Sequence, residues 1–219
     1  MITKPENTRL QRFCVTGRWR CAGNEMAVFC RRLDIAENED GVLAEELCLA
    51  CGLCCNGVIF ADLQLRGVEE IARLKALGFQ TSAKGCRAGA TPRQKTALVS
   101  QPCAAFDGCR CGIYAQRPQY CRKFECLLLK GVQAEKTEVS QALGVIRTAR
   151  QRAERVRKLL HDLADTNEHL PLALRFRRMT RRVERLGLED RLAETYGELT
   201  LAFHDLNRLL SDCFYPHRG

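Results

Sequence analysis

The stretch Cys48-Leu-Ala-Cys51-Gly-Leu-Cys54-Cys55 places four cysteines within eight residues. Two thiols three positions apart can bind one ion without closing a long loop, and this stretch contains two such steps in series. The spacing therefore predicts a thiolate metal site or an iron–sulfur cluster. Neighbouring side chains usually point in different directions, so we expect Cys54 and Cys55 to serve two sites, or to divide into one ligand and one structural thiol.

A second group of cysteines follows between positions 103 and 126, in a segment rich in glycine and proline. This composition predicts a compact, loop-rich structure held by metal. The two groups together supply enough thiolates for two four-coordinate sites. The predicted ligands are Cys48, Cys51, Cys54, Cys55, Cys103, Cys111, Cys121 and Cys126, and Cys86 and Cys109 are candidate extra ligands. Clustered thiolates repel one another, and Arg117 and Arg122 are placed in the sequence to offset that charge.

The pattern changes after about residue 131, where only Cys213 remains of the fourteen cysteines. Apolar residues recur at heptad-like spacing over 145–163 and over 188–210, which predicts two long helices. A shorter helix is expected over 174–186, with Gly187 as a break. We expect Pro171 to stop the first long helix.

Between the two cysteine groups, the sequence predicts a short strand at 58–60, a helix over about 66–77, a loop over 79–95 and a strand at 96–100. The expected fold is therefore mainly α. It has a loop-rich cysteine core with a few short strands, followed by a helical hairpin or three-helix bundle. The expected domains are a cysteine-containing extension at 1–41, a metal-binding domain at 42–130 and a basic helical tail at 131–219. The roles of Cys14, Cys21, Cys30 and Cys213 are left open.

The net charge of +9 is concentrated in the tail, where residues 147–185 contain 12 Lys and Arg against 5 Asp and Glu. Such a surface favours nucleic acid or an acidic protein as partner, although solvated helix faces are the simpler interpretation. The first residues lack the apolar run of a signal peptide, and no run of about 18 apolar residues predicts a membrane span. We therefore expect a cytoplasmic protein, in which dense cysteines bind metal more often than they form disulfides.

At this level of detail the chain resembles the YkgJ-type CxxCxxCC family of zinc- or iron-chelating domains. The resemblance extends over about 48–126 and rests on the first cysteine group, Gln101-Pro102-Cys103, Cys111-Gly-Ile-Tyr114, Arg117-Pro118, Cys121-Arg122, Phe124 and Cys126. It implies metal binding, with Tyr114, Arg117 and Arg122 around the ligands. A flagellin-lysine-methylating enzyme has a similar cysteine signature. That likeness implies an alternative, an iron–sulfur-dependent redox or alkyl-transfer enzyme acting on a protein or RNA.

The choice between zinc and iron–sulfur depends on how the cysteines are spaced. Structural zinc sites commonly use two CxxC knuckles separated by a spacer. Successive CxxC steps with a remote cysteine are the bacterial ferredoxin pattern, which Cys48, Cys51 and Cys54 follow, although Leu127 stands where a ferredoxin has proline. The sequence thus favours a cytosolic protein with one or two cysteine-ligated iron–sulfur centres, and zinc is the other candidate. A nucleic-acid-binding module with structural zinc is a further alternative, and no catalytic residue is assigned.

Overall fold

The computed structural model describes residues 44–83, 96–187 and 190–216, all within one compact unit, Glu37–Gly219. The predicted extension at 1–41, most of the predicted 79–95 loop and four cysteines lie outside the described residues: Cys14, Cys21, Cys30 and Cys86. No helix in the described part of the chain is long and apolar enough to cross a bilayer.

The described elements alternate short helices and strands before three long helices. In chain order they are α1 (Ala44–Cys51), β1 (Asp62–Arg66), α2 (Val68–Ala76), β2 (Ser82–Ala83), β3 (Thr96–Ser100), a 3-10 turn (Tyr114–Gln116), α3 (Gln119–Lys123), α4 (Leu127–Gln133), α5 (Val139–Asp162), α6 (Leu172–Leu186) and α7 (Asp190–Cys213). The predicted mainly α fold with short strands and a helical C-terminal part is confirmed.

A three-stranded antiparallel sheet in the order β1-β3-β2 forms one layer next to the cysteines. Leu63 lies opposite Val99 and Leu65 opposite Ala97, and all four side chains are buried on one face. This face packs against the buried Leu74 of α2 in a small apolar core. The predicted strand at 96–100 and the helix near 66–77 are confirmed.

The predicted strand at 58–60 is wrong. Val58 and Ile59 are buried, but they lie in a bend before β1 and pack into the helical core rather than pairing with a strand. β1 itself, Asp-Leu-Gln-Leu-Arg, alternates polar and apolar residues because one side of the strand faces solvent. The alternation of polar and apolar residues in β1 therefore predicts the strand better than the short apolar run at 58–60.

The three long helices pack together around a second, larger apolar core. Small side chains on α5, such as Ala149 and Ala153, are fully buried where α7 approaches. The stacked rings of Phe176 and Phe203, 3.9 Å apart, join α6 to α7. Helix α5 also contacts α1 and α4, so this core includes Leu47 and Leu53 beside the cysteines as well as the tail helices.

The connection between α5 and α6 differs from the prediction. Helix α5 ends at Asp162, nine residues before Pro171, and Pro171 instead precedes the first turn of α6, where its missing N–H costs nothing. Asp165 in the connection and Arg175 in α6 form a buried ion pair, Oδ2 to Nε 2.6 Å, with both side chains 5% exposed. Gly187 ends α6 with φ 72°, as the predicted break requires.

Candidate metal centre

One cavity of about 100 Å³ brings together the eight predicted metal ligands. All of them line it: Cys48, Cys51, Cys54, Cys55, Cys103, Cys111, Cys121 and Cys126. None of the eight is disulfide-bonded. The remaining lining is largely aliphatic and aromatic, including Phe60, which packs edge-on against Phe124 at 4.7 Å and Tyr120 at 5.5 Å. The cavity therefore presents many soft sulfur donors in apolar surroundings.

Four of these thiols, here called set A, are electrostatic neighbours on the side of the helical core. Burial and the charges of Cys126 and Cys48 raise the pKa of Cys51 to about 12. The amide of Leu53 and the charge of Arg150 oppose this rise. Burial and the charges of Cys51, Cys126 and Cys48 raise the pKa of Cys54, with Cys121 the weakest contributor. Set A, which is Cys48, Cys51, Cys54 and Cys126, packs against the large core of α5 and α7.

The other four thiols, set B, lie on the side of the sheet. Cys55 donates a hydrogen bond to Cys111, which raises the pKa of Cys55 and lowers the pKa of Cys111 to about 6. Burial and the charges of Cys103 and Cys111 raise the pKa of Cys121 to about 12. Cys55, Cys103 and Cys121 belong to the small core under the sheet. The adjacent residues Cys54 and Cys55 thus fall into different sets.

Backbone amides point at sulfur atoms in both sets. Four sulfurs, two from each set, accept hydrogen bonds from amides two or three positions further along the chain: Leu53 to Cys51, Ala105 to Cys103, Ile113 to Cys111 and Leu129 to Cys126. The last of these also caps α4, with Leu129 N 3.4 Å from the Cys126 sulfur. Such donors lower the pKa of a thiol and stabilise the thiolate form that binds metal.

Two arginines of α5 hold the cysteine run from the side of set A. Arg150 Nη1 donates to the carbonyl oxygen of Ala50 at 3.1 Å, and Arg157 Nη2 donates to that of Asn56 at 3.2 Å. The two arginines are seven positions apart, which is two helical turns, so both face the same strip of chain. The positive charge of Arg150 also acts on the cysteines, because it opposes the rise in the pKa of Cys51.

Helix α2 holds the segment that contributes Cys111 and Cys121 to set B. The two carboxylate oxygens of Glu70 accept hydrogen bonds from the amides of Arg66 and Gln119, at 3.1 and 2.7 Å. Arg73 Nη1 donates to the carbonyl of Gln116 at 2.9 Å. Sequence reasoning missed these two side chains and the arginines of α5. Periodicity identifies a helix face, but it does not say which distant backbone that face contacts.

The side chains predicted around the ligands divide in the structure. Tyr114 and Arg117 line the cavity, and the guanidinium of Arg117 lies 3.9 Å from the centre of the Tyr114 ring. Arg117 lowers the pKa of Cys111 and opposes the rise at Cys121. Arg122 is exposed and does not line the cavity.

Two other cysteines that the structure describes, Cys109 and Cys213, do not line the cavity. Cys109 is disulfide-bonded, so its sulfur offers no thiolate in this form. Cys86 falls outside the described residues. Cys213, at the end of α7, packs against the helical core and does not line the cavity.

The eight thiols line one cavity, and the described residues form no ready single-ion site. Within the described ranges, no three His, Cys, Asp or Glu side chains are grouped closely enough to hold a single metal ion. A structural zinc ion needs four sulfurs at about 2.3 Å from its centre. A water molecule needs only about 10–15 Å³ of such space, so the cavity has room for a group of several atoms. The donor set suits zinc or iron.

Residues 47–143 match the model of the CxxCxxCC family, described as “Putative zinc- or iron-chelating domain”. The match confirms the resemblance seen in the sequence. It covers all eight cavity cysteines and supports metal binding by this segment, without distinguishing zinc from iron. No curated protein and no solved structure matches the chain.

Proposed function

We propose that this protein holds two cysteine-ligated metal centres, one bound by set A and one by set B, and that both are iron–sulfur clusters. The division of the thiols between two apolar cores is the observation that supports it most, because set A packs on the helical core and Cys55, Cys103 and Cys121 of set B lie at the small core under the sheet. Each group has four sulfurs, the number that ligates one [2Fe–2S] or [4Fe–4S] cluster. Because Cys54 and Cys55 are joined by one peptide bond, the two centres are neighbours.

The preference for iron–sulfur over zinc is supported by the successive CxxC steps of Cys48, Cys51 and Cys54, with the remote Cys126 in the same set. This is the bacterial ferredoxin pattern, whereas structural zinc sites commonly use two separated CxxC knuckles. The apolar lining, the amide donors to four sulfurs and the nearby cations Arg117 and Arg150 are features that tune reduction potentials of such clusters. When bound, a cluster of this kind supplies one-electron transfer. We further propose a reducing compartment such as the cytoplasm, where thiols without a disulfide partner persist.

Metal analysis of protein purified without oxygen tests the proposal. We expect iron and acid-labile sulfide in comparable amounts, together with visible charge-transfer absorption. A colourless protein with stoichiometric zinc would overturn the iron–sulfur assignment and leave the thiol sets as zinc sites. A protein without tightly bound metal would overturn both assignments.

A matched pair of cysteine variants tests whether the metal sits in the cavity. Cys126→Ser removes one sulfur of set A and should lower the bound metal. Cys213→Ser makes the same chemical change outside the cavity, at a residue that packs against the same core, and should leave it unchanged. Equal metal content in the two variants would remove Cys126 from the site.

A further inference from the structure

Helix α6 presents a row of arginines to solvent. Its sequence, LALRFRRMTRRVERL, contains six arginines and one acidic residue, Glu184. Arg175 points inward to its ion pair with Asp165. The other five are exposed and are called the arginine face: Arg177, Arg178, Arg181, Arg182 and Arg185.

The arginine face is a contiguous surface on a rigid element. At 100° per residue, the five positions fall within an arc of about 140°, and the buried Leu172 and Met179 lie on the opposite side. Steps of four residues join Arg177, Arg181 and Arg185 into one row, with about 6 Å between successive side-chain bases. The face spans about 12 Å along the helix.

Three cations of α5 differ from the arginine face in having carboxylate partners. On α5, Arg155 lies 3.7 Å from Glu198, Arg157 pairs with Glu154, and Lys158 lies 2.7 Å from Asp162. Among the described residues, no ion pair involves an arginine of the arginine face. Arg182 donates to the carbonyl of Leu163 at 3.4 Å, a weak contact that leaves its charge unneutralised. Five exposed arginines that form no ion pair among the described residues are therefore grouped on α6.

The surroundings of the arginine face indicate which polyanion fits. An interfacial membrane helix needs a free apolar side, but that side of α6 is buried against the bundle. Protein interfaces usually have an apolar or aromatic centre. Within the arc the apolar side chain is the half-buried Leu174, and the strongly exposed Leu186 lies outside it. Binding to a repeating phosphate backbone needs neither a free apolar helix side nor an apolar centre. Guanidinium groups bind phosphate oxygens in a bidentate manner.

We propose that the arginine face of α6 binds the phosphate backbone of a nucleic acid without reading its sequence. Binding neutralises phosphates and releases counterions, so affinity falls steeply with salt. Bases are not stacked, because the face has no aromatic side chain. This interaction is independent of the metal in the cavity and stands whether that metal is iron or zinc.

Salt titration of binding to a short fluorescent duplex, as DNA and as RNA, tests the proposal on the metal-loaded full chain. Five phosphate contacts give a slope of log K against log salt of about −4.5, at about −0.9 per contact. Arg177→Gln with Arg181→Gln should reduce the slope by about 1.8, which is about 60-fold weaker binding at 0.1 M salt. Arg185→Gln alone should reduce it by about 0.9. Glutamine keeps a good helix propensity, and circular dichroism verifies the fold.

The charge-matched control is Arg155→Gln with Lys158→Gln, which removes two cations that are already paired on α5. The proposal expects its slope to stay near that of the wild type. Equal slopes for the two double variants, or no duplex binding at low salt, would overturn the proposal. Competition by polyglutamate as strong as that by duplex would also overturn it, in favour of an acidic protein partner.

Discussion

Replacing Arg150 and Arg157 by methionine should loosen the cysteine run without touching a thiol. Methionine preserves much of the unbranched stem but removes the charge and the donor. Two carbonyl oxygens, those of Ala50 and Asn56, then lose their partners at 3.1 and 3.2 Å. The carbonyls flank Cys51, Cys54 and Cys55, so the run is held at both ends from one helix.

The expected change in the rate of metal release follows from the strength of the hydrogen bonds that Arg150 and Arg157 donate. A hydrogen bond from a charged donor contributes about 1.5–3 kcal/mol net, and the Arg157 side chain is 27% exposed, so solvent does not fully replace it. If metal leaves through local opening of the cysteine run, the loss of each arginine lowers the free energy of opening by about that amount. Metal release to a chelator should then accelerate about 10- to 150-fold for each single variant. The double variant should release metal faster still, with less than additive gain because both arginines hold one segment.

Helix α5 supplies its own control in Arg152, which also donates to a backbone carbonyl, that of Asp205 on α7, at 2.9 Å. Arg152→Met thus removes the same side chain and the same kind of bond from the same helix. The assay is the rate of metal transfer to a coloured chelator in excess, together with urea unfolding. Release from Arg150→Met and Arg157→Met no faster than from Arg152→Met would refute a role for α5 in holding the run.

Two further variants test the packing around the cavity and in the helical connection. Gly52→Ala places a Cβ 2.8 Å from the ring of Phe106 at φ 64°, whereas Gly78→Ala has similar strain at φ 86° and open space. We expect Gly52→Ala to lower Tm by several degrees more than Gly78→Ala does. Equal losses of Tm would show that the contact with Phe106 contributes nothing. Asp165→Leu leaves Arg175 buried and unpaired, so unfolding free energy should fall by about 3–5 kcal/mol, and by less when Arg175→Met is added. Burial raises the pKa of Asp165, but hydrogen bonds from a neighbouring asparagine and Arg175 outweigh it and lower the pKa. The stability that Asp165 contributes is therefore present above about pH 4 and lost as the pH falls below it, and urea unfolding of wild type and Asp165→Leu across that range should converge. A gap that stays constant into acid would contradict this.

The ligand types and the long helices could be predicted from sequence because both depend on short-range spacing. The CxxCxxCC run fixes four thiols within eight residues, and the apolar stripe of α5 repeats over about five turns. In the described structure, Ala149, Ala153, Val156 and Leu160 of that stripe are buried as predicted. Short-range patterns of this kind predict structure correctly where the local preference of the sequence agrees with the final fold.

The grouping of the thiols could not be predicted, because it depends on contacts between distant segments. Cys126 joins set A because α4 packs against α1, which lies far from it in sequence. Cys103 joins set B through its amide, which donates to the carbonyl of Cys55 at 2.8 Å. The spacing within 103–126 contains no trace of either contact. Cys103, Cys111 and Cys121 therefore separate from Cys126 although they come from one block.

The helical tail also differs from its sequence interpretation in a physical sense. Its basic residues looked like one surface over 147–185, but the structure distributes them among different tasks. Arg150 and Arg157 contact the cysteine run, Arg175 is buried with Asp165, and the face of α6 is exposed. Net charge counts these arginines equally, whereas burial and partners separate them. Composition alone therefore overstated the charge available to a partner.

The most direct test of two neighbouring centres is the metal content of Cys54→Ser and Cys55→Ser, made from adjacent residues by the same chemical change. Because the two residues belong to sets A and B, each variant should retain about half of the wild-type metal, and the double variant none. Spectra of the two single variants should add up to that of the wild type. Complete loss of metal in either single variant, or full retention in both, would contradict the division into two four-thiol centres.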